Sequence, residues 1–172
     1  MLGKKRIGGG LLKKTNYRGR FAVQERTSKC VIGKEGIMGI LPHRDPFIFV
    51  DGVLEIEPGQ RIVAFKDVLE SHCAGHFPGK PVFPGVFTIE AMAQACCLLA
   101  LWDNPGASVL FRGVGDLKFR QAVKPGDRLI LMADLEKVKG PLWVFNAKAL
   151  MMEIDGKEHL VTSTQISATT GA

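Results

Sequence analysis

The chain reads as an α+β domain, one long apolar helix wrapped by an antiparallel sheet. Three observations predict this. Strand-like segments precede a single helical segment of about eighteen residues, and a run of longer strand-like segments follows it. The helical segment is apolar on nearly every face, so it must lie inside the molecule. Turn signals of the Pro-Gly, Lys-Gly and Asp-Gly type punctuate the later segments at hairpin spacing.

Taken in order, residues 1–34 form a basic, Gly-rich extension without a clear period, expected to be disordered. An organelle transit peptide is the other reading of its basic, acid-poor composition, although it is short of Ser and Thr. The domain spans residues 35–172. Gly36 to Leu41 reads as a short helix or turn stopped by Pro42. Ile48 to Val50 and Val53 to Ile56 form a first strand, turned by Pro58-Gly59. Arg61 to Leu69 alternates as a second strand, with Ile62, Ala64 and Lys66 on one face and Val63, Phe65 and Asp67 on the other. A loop from Glu70 to Pro84 leads into the helix, Gly85 to Trp102, which Asp103-Asn104-Pro105-Gly106 terminates. Strands follow at Ser108–Val114, Leu117–Arg120, Arg128–Lys139, Pro141–Ile154 and Val161–Ala168. The turns between them are Lys124-Pro125-Gly126-Asp127, Lys139-Gly140 and Asp155-Gly156-Lys157.

The net charge of +6 hides an asymmetry. Residues 1–34 carry ten Lys/Arg and one acid, whereas the remaining residues carry thirteen Lys/Arg and sixteen Asp/Glu. The body is mildly acidic, which argues against a nucleic-acid-binding domain. Four cysteines lack any Cys-x-x-Cys spacing, so neither a zinc site nor a disulfide framework is expected. Free thiols packed as small hydrophobes fit the reducing cytoplasm. The apolar helix contains Glu90 and Gln94, and no signal-peptide pattern opens the chain, so no membrane span or secretion signal is expected.

Glu90 is the only Asp, Glu, Lys, Arg or His on that helix. A carboxyl on a buried helix is costly unless it is paired or protonated. His76 stands fourteen residues earlier, in a Pro/Gly-rich loop. A neutral imidazole and a protonated carboxyl across an apolar pocket form a general acid–base pair. One reaction that suits them is elimination of water from a 3-hydroxyacyl thioester. His76 is the base for the proton beside the carbonyl, and Glu90 the acid for the departing hydroxyl. Backbone amides at the helix start, Gly85 and Val86, sit at the positive dipole end and can polarise the thioester carbonyl. Gln94, one turn beyond Glu90, can orient its carboxyl.

These residues also carry a resemblance. His76 to Gln94, HFPGKPVFPGVFTIEAMAQ, is similar to the catalytic core of the FabZ-type 3-hydroxyacyl-(acyl-carrier-protein) dehydratases of type II fatty acid synthesis. LPHRDPFIFVD (Leu41 to Asp51) resembles the family's N-terminal signature, and KFRQAVKPGDRL (Lys118 to Leu129) its later one. The similarity covers about residues 36–168, with its motifs in family order. It implies a hot-dog fold and homodimers, often assembled as a trimer of dimers. It implies a composite site in which His76 of one subunit faces Glu90 of the other. It implies acyl carrier protein as partner, no metal and no organic cofactor. Phe83, beside Pro84, stands where a bulky side chain gates the acyl tunnel in this family. Related A-type dehydratase/isomerases carry aspartate at the position of Glu90, so the chain resembles the Z type. It departs from the family at Gly52, where arginine is usual, and in the Glu70-Ser71-His72-Cys73-Ala74 run before the Gly-His pair.

Arg112, Lys118, Arg120, Lys124 and Arg128 are the densest basic run of the body. They read either as a solvated sheet face or as a landing patch for the acidic carrier protein. His43 and Arg44 read as braces of the first strand, His72 as a pocket-rim residue and His159 as solvated. The rival functions are a hot-dog acyl thioesterase, a hydratase of coenzyme A esters and a non-catalytic acyl-binding subunit.

Overall fold

Neighbouring strands all pair antiparallel, in a seven-stranded sheet that curls around one long helix. The computed structural model describes residues 30–153 and 157–171. The elements are β1 (Ile32–Gly33), α1 (Lys34–Ile40), β2 (Gly52–Glu57), β3 (Arg61–Asp67), α2 (Gly85–Leu101), β4 (Val109–Val114), β5 (Arg128–Lys139), β6 (Leu142–Met152) and β7 (Glu158–Thr170). A short 3-10 turn, Glu70–Cys73, precedes α2. The order across the sheet is β1-β2-β3-β5-β6-β7-β4. The expected α+β hot-dog architecture is therefore present. Residues 1–29, Ile154 at the end of the expected Pro141–Ile154 strand, Asp155 and Gly156 of the turn expected after it, and Ala172 lie outside the described residues.

Local chemistry sets the boundaries. Leu41 precedes Pro42 and is extended (φ −83°, ψ 143°), so α1 stops there. Pro84 is the N-cap of α2, and its carbonyl accepts from both Phe87 and Thr88. The β5–β6 hairpin turns at Gly140, whose φ of 56° a residue with a Cβ rarely adopts.

Helix α2 packs on β3, β5, β6 and β7. Its Ala91, Met92, Ala95, Cys96, Leu98 and Leu99 join Ile62, Ala64, Leu129, Leu131, Phe145, Ala149 and Val161 in the core. A second apolar cluster, Val63, Ile130, Met132 and Leu150, lies apart from this core, built from alternate residues of the same strands. The inner face also takes Lys66, only 3% exposed. Its ammonium is held by both Asp51 oxygens (3.1 and 3.0 Å), and Asp51 Oδ2 also accepts from the Asp67 amide at 2.8 Å. A buried cation persists only with such pairing.

Two strand expectations need correction. Ile48–Val50 is buried but forms no strand, because the Phe49 N–H donates to a side chain, Gln94 Oε1 (2.9 Å), instead of a ladder. Leu117–Arg120 is also not a strand. A backbone bond ties it to the sheet where the Arg120 N–H donates to the Val161 carbonyl (2.8 Å). The helix is also better covered than its sequence suggests. The sheet, α1 and the 41–50 loop bury most of it in one chain, and Val86, 66% exposed, is its exposed large apolar residue.

Candidate active site

His76 is held in a tight loop. Its N–H donates to the Cys73 carbonyl, and its own carbonyl accepts from the Val82 amide at 2.8 Å. The ring Nδ1 lies 2.9 Å from the Val82 carbonyl, and Phe77 stacks on the ring at 4.1 Å between centroids. A carbonyl can only accept, so Nδ1 carries a proton, and in the neutral ring the lone pair lies on Nε2. The peptide between His76 and Phe77 is cis.

His76 lines an open cleft of about 330 Å³ together with Gly85, Thr88, Phe119, Arg120 and Val123. Gly85 and Val86 begin α2 there, ahead of the first intrahelical hydrogen bond, so their N–H groups are not consumed by the helix. The Phe119 ring lies against Gly85, where a Cβ would come within 2.7 Å of it. That ring was not among the sequence-predicted site residues. Its one signal was its place in the Lys118–Leu129 motif.

Glu90 is not in this cleft. Its side chain is 27% exposed, less buried than the apolar sequence around it predicts. Gln94, 1% exposed, donates to Glu90 Oε1 at 2.8 Å and to the Phe47 carbonyl at 2.9 Å, while its own Oε1 accepts from Phe49. The carboxyl therefore sits against the loop of the Leu41–Asp51 motif. His43 of that loop brings Nε2 to 3.7 Å from Glu90 Oε1. Sequence reasoning placed His43 as a brace of the first strand and missed this approach. The brace is Arg44, which donates to the Leu41 and His43 carbonyls (3.0 and 2.7 Å). Cys97, one further turn along, has its thiol pushed up to about 12 by burial and by Glu90.

Phe83 is buried, in edge contact with Phe49 and His72 and tilted against Phe87. His72 Nδ1 accepts from the Leu69 amide at 3.0 Å. Burial chiefly, then the Lys66 and Lys34 cations, depress its pKa, and Asp51 partly opposes them. In the basic run, Arg112, Lys118, Arg120 and Lys124 are exposed. Arg128 differs: its Nε and Nη2 bond the Asp67 carboxylate at 2.5 and 2.7 Å, and its guanidinium lies 4.4 Å over the Phe65 ring. Among the described residues, no group of three or more His, Cys, Asp or Glu is placed to hold a metal ion, and no helix is long and apolar enough to cross a membrane.

A family model for the FabA-like domain matches residues 41–160. The 3-hydroxyacyl-(acyl-carrier-protein) dehydratase FabZ of an Anaeromyxobacter species is 45% identical over 141 residues, covering 77% of this chain and 87% of that protein. The protein of the same name from Syntrophobacter fumaroxidans is 42% identical over 141 residues, covering 79% and 92%. Among solved structures, the dehydratase heterocomplex ApeI:P from Xenorhabdus doucetiae superposes with a TM-score of 0.66 at 16% identity, over 79% of this chain and 91% of that one, a likeness of fold.

Proposed function

We propose a two-residue elimination mechanism for this chain, which belongs to the FabA-like family as a FabZ-type 3-hydroxyacyl-(acyl-carrier-protein) dehydratase. The observation that carries it is the state of His76. With Nδ1–H given to the Val82 carbonyl, Nε2 is the ring nitrogen left to take a proton, and His76 lines the cleft at the start of α2. Nε2 removes a proton from C2 of the substrate, and the electron pair forms the C2–C3 double bond. The C3 hydroxyl leaves as water on taking the proton of Glu90. The Gly85 and Val86 amides meet the thioester oxygen as negative charge develops on it. Return of the His76 proton to Glu90 restores the starting state.

His76 and Glu90 do not share one cleft in one chain, which supports a composite site with His76 from one subunit and Glu90 from a second copy. Apolar side chains left exposed on the single chain, Val86 on α2, Leu110, Phe111 and Val114 on β4, and Phe119 beyond it, support such a homodimer, and a trimer of dimers is the larger assembly to test. Phe83 and Pro84 border the acyl tunnel in this reading. Arg112, Lys118, Arg120 and Lys124 receive the carrier protein, with Arg128 as their structural neighbour. Free thiols at Cys30, Cys73, Cys96 and Cys97 suit a cytoplasmic setting.

The test is enoyl-thioester absorbance with a short 3-hydroxyacyl carrier-protein substrate, beside His76→Ala and Glu90→Gln. Formation of enoyl product by the native protein and loss of most activity in both folded variants support the assignment. Release of free thiol instead would identify a thioesterase. Binding of carrier protein without either product would identify an acyl-binding subunit.

A further inference from the structure

We propose that His43 is a positioning residue for Glu90, holding the carboxyl through an N–H on the imidazole Nε2. The inference rests on the reading above, in which Glu90 is the acid. Glu90 Oε1 is approached by Gln94 Nε2 at 2.8 Å and by His43 Nε2 at 3.7 Å. His43 Nδ1 is buried and has no hydrogen-bond partner among the described residues. That orphaned atom selects the tautomer. With the proton on Nε2, a donor faces the carboxyl and only a lone pair is left unmatched at Nδ1. With the proton on Nδ1, a buried N–H would lack any acceptor, and bare Nε2 would meet the lone pairs of Glu90 Oε1, the oxygen that already accepts from Gln94.

The surroundings limit where the ring can go. Arg44 bonds the His43 carbonyl and the Leu41 carbonyl, which tightens the loop around His43. Asp45 of the same loop is taken by Lys34 at 2.6 Å. Gln94 bonds Phe47 and Phe49 as well as Glu90, so one amide ties the carboxyl to the loop that carries His43. A separation of 3.7 Å exceeds a hydrogen bond. Catalytic contacts that are long in the free protein tighten in the complex. Glu90 gains negative charge as it gives up its proton, so the Nε2–H contact strengthens toward the transition state. An interaction of that kind acts on kcat.

The experiment is steady-state kinetics on His43→Phe, which keeps a ring without the donor, and on His43→Gln, which keeps an N–H donor. Each is made alone and together with Glu90→Gln, the double variants being followed at high enzyme concentration so that residual turnover is read. We expect His43→Phe to lower kcat by roughly tenfold to a hundredfold, with KM changed by no more than about twofold, and His43→Gln to recover part of the loss. In the Glu90→Gln background, His43→Phe should cost nothing further. If His43→Phe does not fold, His43→Asn, too short to reach Glu90, should give the same fall in kcat. Native kcat in His43→Phe beside an inactive Glu90→Gln overturns this proposal alone. An equal loss in both backgrounds overturns it as well, because His43 would then act independently of Glu90. Full activity in Glu90→Gln overturns both this proposal and the acid assignment.

Discussion

Replacement of Gln94 by leucine removes three hydrogen bonds at once, to Phe49, Phe47 and Glu90. The side chains are similar in volume, so little of the effect comes from packing. The Phe49 N–H is left buried without an acceptor, which costs about 1–3 kcal/mol. The Phe47 carbonyl is half-buried and adds about 1 kcal/mol, because water can reach it in part. Leucine recovers a fraction through its own burial, so the net expectation is about 2 kcal/mol, or a fall in Tm of about 4–8 °C for a chain of this size. Catalysis should suffer separately, since Glu90 loses the bond that orients it, and kcat should fall by roughly tenfold. Urea unfolding at fixed protein concentration, with enoyl-thioester absorbance on the same samples, reads both effects. Gln94→Glu is the companion variant, because its ionised form can still accept from Phe49 but cannot donate to Phe47 or to Glu90. A Gln94→Leu protein with native stability and native kcat would refute the reasoning.

Three further outcomes are expected. Gly85→Ala puts a Cβ within 2.7 Å of the half-exposed Phe119 ring, which can swing away; calorimetry should show Tm changed by no more than about 2 °C, while kcat/KM falls by roughly tenfold as the cleft reshapes. His72 has its pKa held below 6.5 in the fold, so the unfolded chain takes the proton first as pH falls. Its contribution is complete above 6.5 and is lost as pH drops through the folded value, so a Tm-against-pH curve below 6.5 should be shallower for His72→Gln; parallel curves would contradict this. Arg128→Ala should cost about 1 kcal/mol through its partly exposed pair with Asp67, with KM for carrier-bound substrate close to native, whereas Arg120→Ala with Lys124→Ala should raise that KM and flatten its salt dependence.

Much of this arrangement was legible because local signals agreed with tertiary demands. Strand β5 was read at its observed ends, Arg128 and Lys139, since Pro125-Gly126 and Gly140 bracket an apolar run. Helix α2 was read one residue long, since Trp102 already caps it. Strand β7 runs past its apolar stretch at both ends because Glu158 and His159 pair with Met152 and Met151, and Thr169 and Thr170 with β4, through backbone groups that leave no hydrophobic pattern. Leu117–Arg120 misled in the opposite direction: its composition suits a strand, but it forms no ladder. At the site, the Gln94–Glu90 bond followed from helical spacing. The approach of His43 to Glu90 spans forty-seven positions and depends on how a loop folds back, so no periodicity announces it. Phe119 was hidden for the same reason, as its contact is with a glycine that shows no side chain to count.

The second apolar cluster has a consequence for how the molecule opens. Val63, Ile130, Met132 and Leu150 shield one side of β3, β5 and β6, while the α2 core covers the other. Strands shut off from solvent on both sides can release their amide protons only when the whole core gives way, whereas β1, two residues long and paired along one edge, can fray by itself. Proton exchange with heavy water should therefore divide the sheet, with the central ladder exchanging at the rate of global unfolding. The His76 loop joins this slow centre to α2, and its own backbone bonds, His76 to Cys73 and Val82 to His76, lie outside the strand ladders.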